Sequence, residues 1–141
     1  MLFNPSRDDA RNFLFEAWRK HRAKELLSPL EDMVAQLIKT HPEYHAMLED
    51  PDRYQNRDYQ PEQGETNPFL HLMMHLTIEE QISIDQPAGI RSHFVRLRRQ
   101  FESDHDAQHR MMDCLGEMIL QAQRSGAQPD AQIYLICLES Q

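Results

Sequence analysis

The chain has 141 residues and a formal net charge of −8, from 23 acidic and 15 basic side chains. This length fits a single apolar core, so we predict one domain spanning residues 1–141. The acidic balance argues against duplex nucleic acid as the main partner, because phosphate binding requires a basic surface. The N-terminus lacks a cationic region followed by an apolar run, and no segment approaches 18 uninterrupted apolar residues. We therefore expect a cytoplasmic protein with no membrane partner.

The first forty residues contain two signals for the start of a helix. Ser6 can cap a first helix, which apolar residues at helical spacing extend from about Asp8 to Leu27. The segment Ser28-Pro29-Leu30-Glu31 combines an N-cap, a proline at the first helical position and a reciprocal acid, so it predicts a second helix. This helix is expected to end near His41, because a residue that precedes proline avoids helical backbone.

A polar stretch follows a short helix that ends near Leu48. Pro51 to Thr66 contains almost no apolar side chains, and it predicts a loop of about sixteen residues. Loops of this length in compact domains tend to be lids, partner-binding arms or disordered segments.

The central helix is expected to run from Pro68 to Ile84, with Asn67 as its cap. It is apolar on most sides, which indicates a buried helix. The tight connection Asp85 to Gly89 predicts that the next helix returns antiparallel against it. One long helix is expected from about Ala88 to Arg124, unless Ser103 caps a new helix after a break.

Gly126 is a plausible helix stop, and Pro129-Asp130 begins a short last helix. Together these elements predict an all-α fold. We expect an antiparallel bundle of four to five helices, with one long helix and the polar loop 51–66.

Two side-chain sets have plain structural interpretations. Cys114 and Cys137 lie 23 residues apart without Cys-x2-Cys spacing, so they are expected to be reduced, buried thiols. The densest group of basic residues is expected to be a solvated helix face. Its residues are Arg91, Arg96, Arg98 and Arg99.

Six of the eight histidines lie in three copies of the pattern His-x3-His-x3-acid. The copies are His41/His45/Glu49, His71/His75/Glu79 and His105/His109/Asp113. Steps of four residues place such side chains on one face of a helix. Imidazole with carboxylate suits iron, zinc, manganese or nickel, and helical bundles build metal sites from inward-facing ligands of this kind.

The pattern therefore predicts a mono- or dinuclear non-haem metal site, with iron or zinc as the metal and no organic cofactor. The leading candidate ligands are His71, His75, His105 and His109. The residues expected to complete the set are His41, His45, Glu79 and Asp113. This prediction depends on the second and third histidine pairs meeting, as the antiparallel return of the long helix allows.

An ordered set of motifs resembles the bacterial family named domain of unknown function 1841. The motifs are Asn4-Pro5-Ser6-Arg7, His41-Pro-Glu-Tyr-His45, Asn67-Pro-Phe-Leu-His71 through His75, Glu80-Gln81, Asp85-x-Pro87-x-Gly89-Ile90 and His105-x3-His109. The resemblance covers nearly the whole chain. It implies a small, mostly helical, single-domain bacterial protein without an assigned activity.

Two classes of function fit these patterns. A bound iron would support redox or oxygen sensing, storage or an oxidase reaction, and a bound zinc a hydrolytic or structural role. The sequence contains no motif that indicates a nucleophile or a substrate pocket, so it assigns no catalytic residue. The alternative is a metal-free helical interaction module with a histidine-rich polar core, whose acidic face and 51–66 loop dock onto a protein partner. A homo-oligomer is also left open.

Overall fold

The computed structural model describes residues 6–60 and 63–141, and all regular secondary structure in these residues is helical. The α-helices are α1 (Arg7–Arg22), α2 (Pro29–Lys39), α3 (His45–Leu48), α4 (Pro51–Tyr54), α5 (Pro68–Ile84), α6 (Ile90–Phe101), α7 (Asp104–Ser125) and α8 (Ala131–Glu139). A 3₁₀ turn, Pro42–Tyr44, precedes α3. The all-α prediction is confirmed, although these described ranges hold more helices than the four to five expected. None of the described helices has both the length and the apolar character needed to cross a membrane.

The chain forms two compact units, and the division between them falls within α5. The first unit ends at Leu76 and the second begins at Thr77. In the first unit, α1 packs against α2 and α3. Its buried core draws on these helices and on the start of α5. The core residues are Leu14, Phe15, Ala17, Trp18, Val34, Leu37, Ile38, Met47, Leu48, Phe69, Leu72 and Leu76.

The predicted helix caps form as the sequence signals indicate. Ser6 Oγ accepts from the Asp9 backbone N–H, and Ser28 forms the full reciprocal capping box with Glu31. Asn67 Oδ1 accepts from the backbone N–H groups of the next turn, and α5 has the predicted bounds. The first helix ends earlier than expected, at Arg22, and Lys24 takes a left-handed backbone conformation with φ of 59°.

The expected polar loop starts with a helix. Residues Pro51–Tyr54 form α4, so the described part of the segment without helical structure is shorter than predicted. The side chain of Arg11 on α1 fixes the backbone that follows. Its Nη1 donates to the carbonyl oxygens of Gln55 and Arg57 at 2.9 and 2.8 Å, and to that of Tyr54 at 3.3 Å. This buried arginine therefore holds the start of the loop on α1.

In the second unit, α6 packs against α7 and α8, and α7 packs against α8. The single long helix expected over 88–124 is wrong, and the alternative with Ser103 as a new cap is confirmed. Glu102 adopts φ of 60° and ends α6, and Ser103 Oγ then accepts from the Asp106 backbone N–H. Gly126 ends α7 in the left-handed conformation, as predicted.

The two cysteines form a disulfide between α7 and α8, so the expectation of reduced thiols is wrong. The Cys114 and Cys137 Cα atoms lie 5.5 Å apart, within the usual range for a disulfide. The turn after Gly126 reverses the chain and brings α8 back along α7. Spacing along the sequence cannot reveal this proximity, because it depends on how two helices pack.

Tyr134 on α8 provides a stability prediction. Its side chain is fully buried, and its hydroxyl donates to Gln81 Oε1 at 2.8 Å. Burial also raises the pKa of Tyr134. Replacement Tyr134→Phe is expected to cost about 1 to 2 kcal/mol, because it leaves the Gln81 oxygen without its donor. Urea denaturation measures this cost. Tyr54→Phe, at a half-buried position, is the control and should change stability less; equal losses would contradict the assignment.

Candidate metal centre

His41 lies where α2 ends and the 3₁₀ turn begins. It has the non-helical backbone that a residue before proline favours, with φ of −127° and ψ of 65°. Its buried imidazole returns to the end of α2, where Nδ1 lies 2.8 Å from the Leu37 carbonyl oxygen. A carbonyl can only accept, so Nδ1 carries the proton and donates it. In this tautomer Nε2 carries no proton, so it can accept a hydrogen bond or bind a metal ion.

Three imidazoles of the first unit meet at this point. His41 Nε2 lies 3.2 Å from His71 Nε2. The ring centroid of His75 lies 4.7 Å from that of His41 and 4.9 Å from that of His71. His75 is 1% exposed and His41 is equally buried, so both rings are shielded from bulk water. Tyr44 stacks on His41, with ring centroids 5.4 Å apart and ring planes 3° apart.

The three residues of the first copy of the histidine pattern do not lie together: His41 contacts His71, whereas His45 and Glu49 contact Trp18. His45 donates from Nε2 to the Ile38 carbonyl oxygen at 2.8 Å, and its ring packs on Trp18 with centroids 4.5 Å apart. Glu49 accepts from Trp18 Nε1 at 3.3 Å and pairs with Arg22. The break in helical backbone at His41 explains the division, because His41 and His45 do not belong to one continuous helix. His45 therefore packs on Trp18.

In the second unit, the third histidine pair lies on the first turns of α7. The ring centroids of His105 and His109 are 4.0 Å apart, as expected for residues one helical turn apart. Between them in sequence lies Gln108, whose buried amide donates from Nε2 to Glu79 Oε1 at 2.6 Å. Glu79 is thus oriented by α7, and this hydrogen bond fixes one face of α5 against the helix that carries His105 and His109.

Asp113, the acid of the third copy, is exposed. Its side chain is 72% accessible, and it pairs with Arg110 at 3.7 Å. A carboxylate in this position is an ordinary surface ion pair and does not join the buried histidines. The acid of the second copy, Glu79, is the one that the fold binds to a buried partner.

Sequence reasoning missed two contributors to this region. Gln108 lies in the apolar stripe of α7, where a buried amide requires a partner, and this signal points to Glu79. The Leu37 carbonyl is the second. This oxygen lies near the end of α2 and accepts from the Thr40 backbone N–H and hydroxyl as well as from His41 Nδ1. The sequence predicted that α2 ends near His41, and this prediction places the Leu37 carbonyl close to the imidazole of His41.

These helices and histidines define a small all-helical protein with a histidine-rich buried region. The model of the family described as domain of unknown function (DUF1841) matches residues 6–140. The chain belongs to this family. No curated protein and no solved structure matches the chain.

Proposed function

We propose that this protein binds one divalent transition metal ion, zinc or iron, through histidine nitrogens. The ligands that we propose are His41, His75, His105 and His109. All four offer imidazole nitrogens, which suit zinc, iron, copper and nickel and not the oxygen-seeking magnesium or calcium.

The hydrogen bond between His41 Nδ1 and the Leu37 carbonyl is the observation that carries this proposal. A histidine ligand needs one nitrogen with a free electron pair and a second nitrogen whose proton is held by an acceptor. In His41, Nδ1 is committed to the Leu37 carbonyl at 2.8 Å, and Nε2, the nitrogen without a proton, faces His71 Nε2 at 3.2 Å.

The orientation of Glu79 supports the same proposal. It lies one helical turn beyond His75 on α5, and Gln108 holds its carboxylate at 2.6 Å. Four neutral imidazoles leave the charge of a divalent ion uncompensated, and a nearby fixed carboxylate lowers that cost. Glu79 therefore either completes the ligand set or balances its charge.

Metal content tests this function directly. Purified tag-free protein is expected to contain about one equivalent of zinc or iron per chain by elemental analysis. The variants His75→Gln and His109→Gln should each lose that metal, because removing one of four ligands sharply weakens binding. Circular dichroism establishes that each variant remains helical.

Variants of histidines outside the proposed ligand set test whether metal loss is specific to the proposed ligands. His45→Gln and His21→Gln are expected to keep the metal, since both rings pack on Trp18. Asp113→Asn should keep it as well. Absence of stoichiometric metal from the wild type, or retention in both His75→Gln and His109→Gln, would contradict the proposal. The metal-free interaction module would then be the remaining hypothesis.

A further inference from the structure

Helix α6 carries four arginines and no acid among its twelve residues, in a chain of net charge −8. A groove of about 520 Å³ runs along this helix, within the range of small-molecule sites. Its lining comes from α6 and from the connection that precedes it. The lining residues are Asp85, Arg91, Ser92, Val95, Arg96 and Arg99.

Backbone carbonyl groups fix two of the three arginines in the groove. Arg91 donates from Nε to the Ile82 oxygen at 3.1 Å and from Nη2 to the Ser83 oxygen at 3.1 Å. Arg96 donates from Nη2 to the Leu138 oxygen at 2.7 Å and from Nη1 to the Gln141 oxygen at 3.1 Å, so it joins α6 to α8 and to the residues that follow it. Neutral acceptors position a guanidinium without cancelling its charge. Arg91 is thus held in place with its positive charge intact.

Among the described residues, the acidic side chains near α6 do not pair with the three arginines that line the groove. Asp85 accepts from the backbone N–H of Arg91 at 2.9 Å and from that of Gly89 at 3.5 Å. These bonds, led by the one from Arg91, lower the pKa of Asp85. Among the ion pairs of the described ranges, α6 contributes only Arg98, which pairs with Asp104. Three arginines against one carboxylate leave the groove with a net charge of about +2.

We propose that this groove binds a small organic phosphate monoester. A dianionic phosphate matches the net charge, and guanidinium groups suit phosphate oxygens because they present paired N–H donors. Val95, which is 42% exposed in the lining, provides an apolar surface for the organic part of the ligand. The groove is also larger than a bare phosphate needs. A long nucleic acid fits poorly, because the rest of the chain is acidic.

Titration with phenyl phosphate tests this site, with inorganic phosphate and phenol as the partial ligands. In isothermal calorimetry at low salt, we expect phenyl phosphate to bind with a dissociation constant on the order of 1 mM or tighter. Inorganic phosphate and phenol should each bind at least about tenfold more weakly. NMR amide shifts on titration should be concentrated on α6.

Variants on the surface of α6 locate the binding without disturbing the fold. Arg99→Gln removes an exposed cation, and Val95→Glu places a negative charge in the groove; each should weaken phenyl phosphate binding at least about tenfold. Arg98→Gln, outside the groove lining on the same helix, is the control and should bind like the wild type. Arg91 and Arg96 are left intact because they hold backbone carbonyl groups.

Three results would overturn the proposal. One is no binding of phenyl phosphate at about 10 mM. Another is inorganic phosphate binding as tightly as phenyl phosphate, which would indicate an adventitious ion only. The third is equal weakening by Arg98→Gln and Arg99→Gln, which would indicate general charge attraction. None of these outcomes depends on the metal content of the protein.

Discussion

Reduction of the Cys114–Cys137 disulfide is expected to lower the free energy of unfolding of the second unit by about 3 kcal/mol. The bond joins residues 23 apart in sequence, and closing a loop of that length restricts the unfolded chain by roughly this amount. It also joins α8, a helix of nine residues, to α7. A helix this short is marginal without tertiary packing, so we expect α8 to lose order first.

Denaturation with and without a phosphine reductant measures this effect, and thiol titration under denaturing conditions measures the redox state. The untreated chain should show no free thiol, and the reduced chain two, because the described residues hold both cysteines in one bond. Cys137→Ser is the matched control: it should start near the stability of the reduced protein and respond no further to reductant. Two free thiols in the untreated protein, or equal stability in both states, would contradict this prediction.

Local signals in the sequence predicted the helix boundaries where the cause is local. The Ser28 capping box, the Asn67 cap and the Gly126 stop depend on residues within one turn, and each forms as expected. The break at Glu102 was harder to predict, because the apolar stripe continues across it and a non-glycine residue takes φ of 60°. The short helix α4 was missed because its residues are polar, and the start of the loop is held by Arg11 on α1.

The candidate site was predictable only in part, because sequence spacing predicts contacts within one helix and not contacts between distant segments. The spacing of His105 and His109 fixed their proximity, since both lie on one continuous helix. The spacing of His41 and His45 did not, because Pro42 interrupts the helix between them and turns His45 toward Trp18. The contacts of His41 with His71 and of Gln108 with Glu79 join distant segments. Periodicity carries no information on such contacts.

Replacement Arg11→Met is expected to lower the free energy of unfolding of the first unit by about 3 kcal/mol. Arg11 is 3% exposed, and its guanidinium carbon lies 4.3 Å from the centroid of the Phe69 ring. Burial lowers the pKa of Arg11, the direction expected when a cation leaves water. Methionine retains much of the packing volume but none of the donors. The loss therefore measures the hydrogen bonds and the cation–π contact more than a cavity.

The same substitution should release the segment after α4, because Nη1 is the donor to the carbonyl oxygens of Gln55 and Arg57. Hydrogen exchange should therefore accelerate over residues 54–59 while α2 stays protected. Arg19→Met, an exposed arginine on the same helix that pairs with Glu16 and Glu25, should change neither measurement appreciably. If Arg11→Met is as stable as Arg19→Met, the buried guanidinium does not hold this segment. If stability falls without faster exchange over 54–59, Arg11 acts through the core around Phe69 and not through the loop.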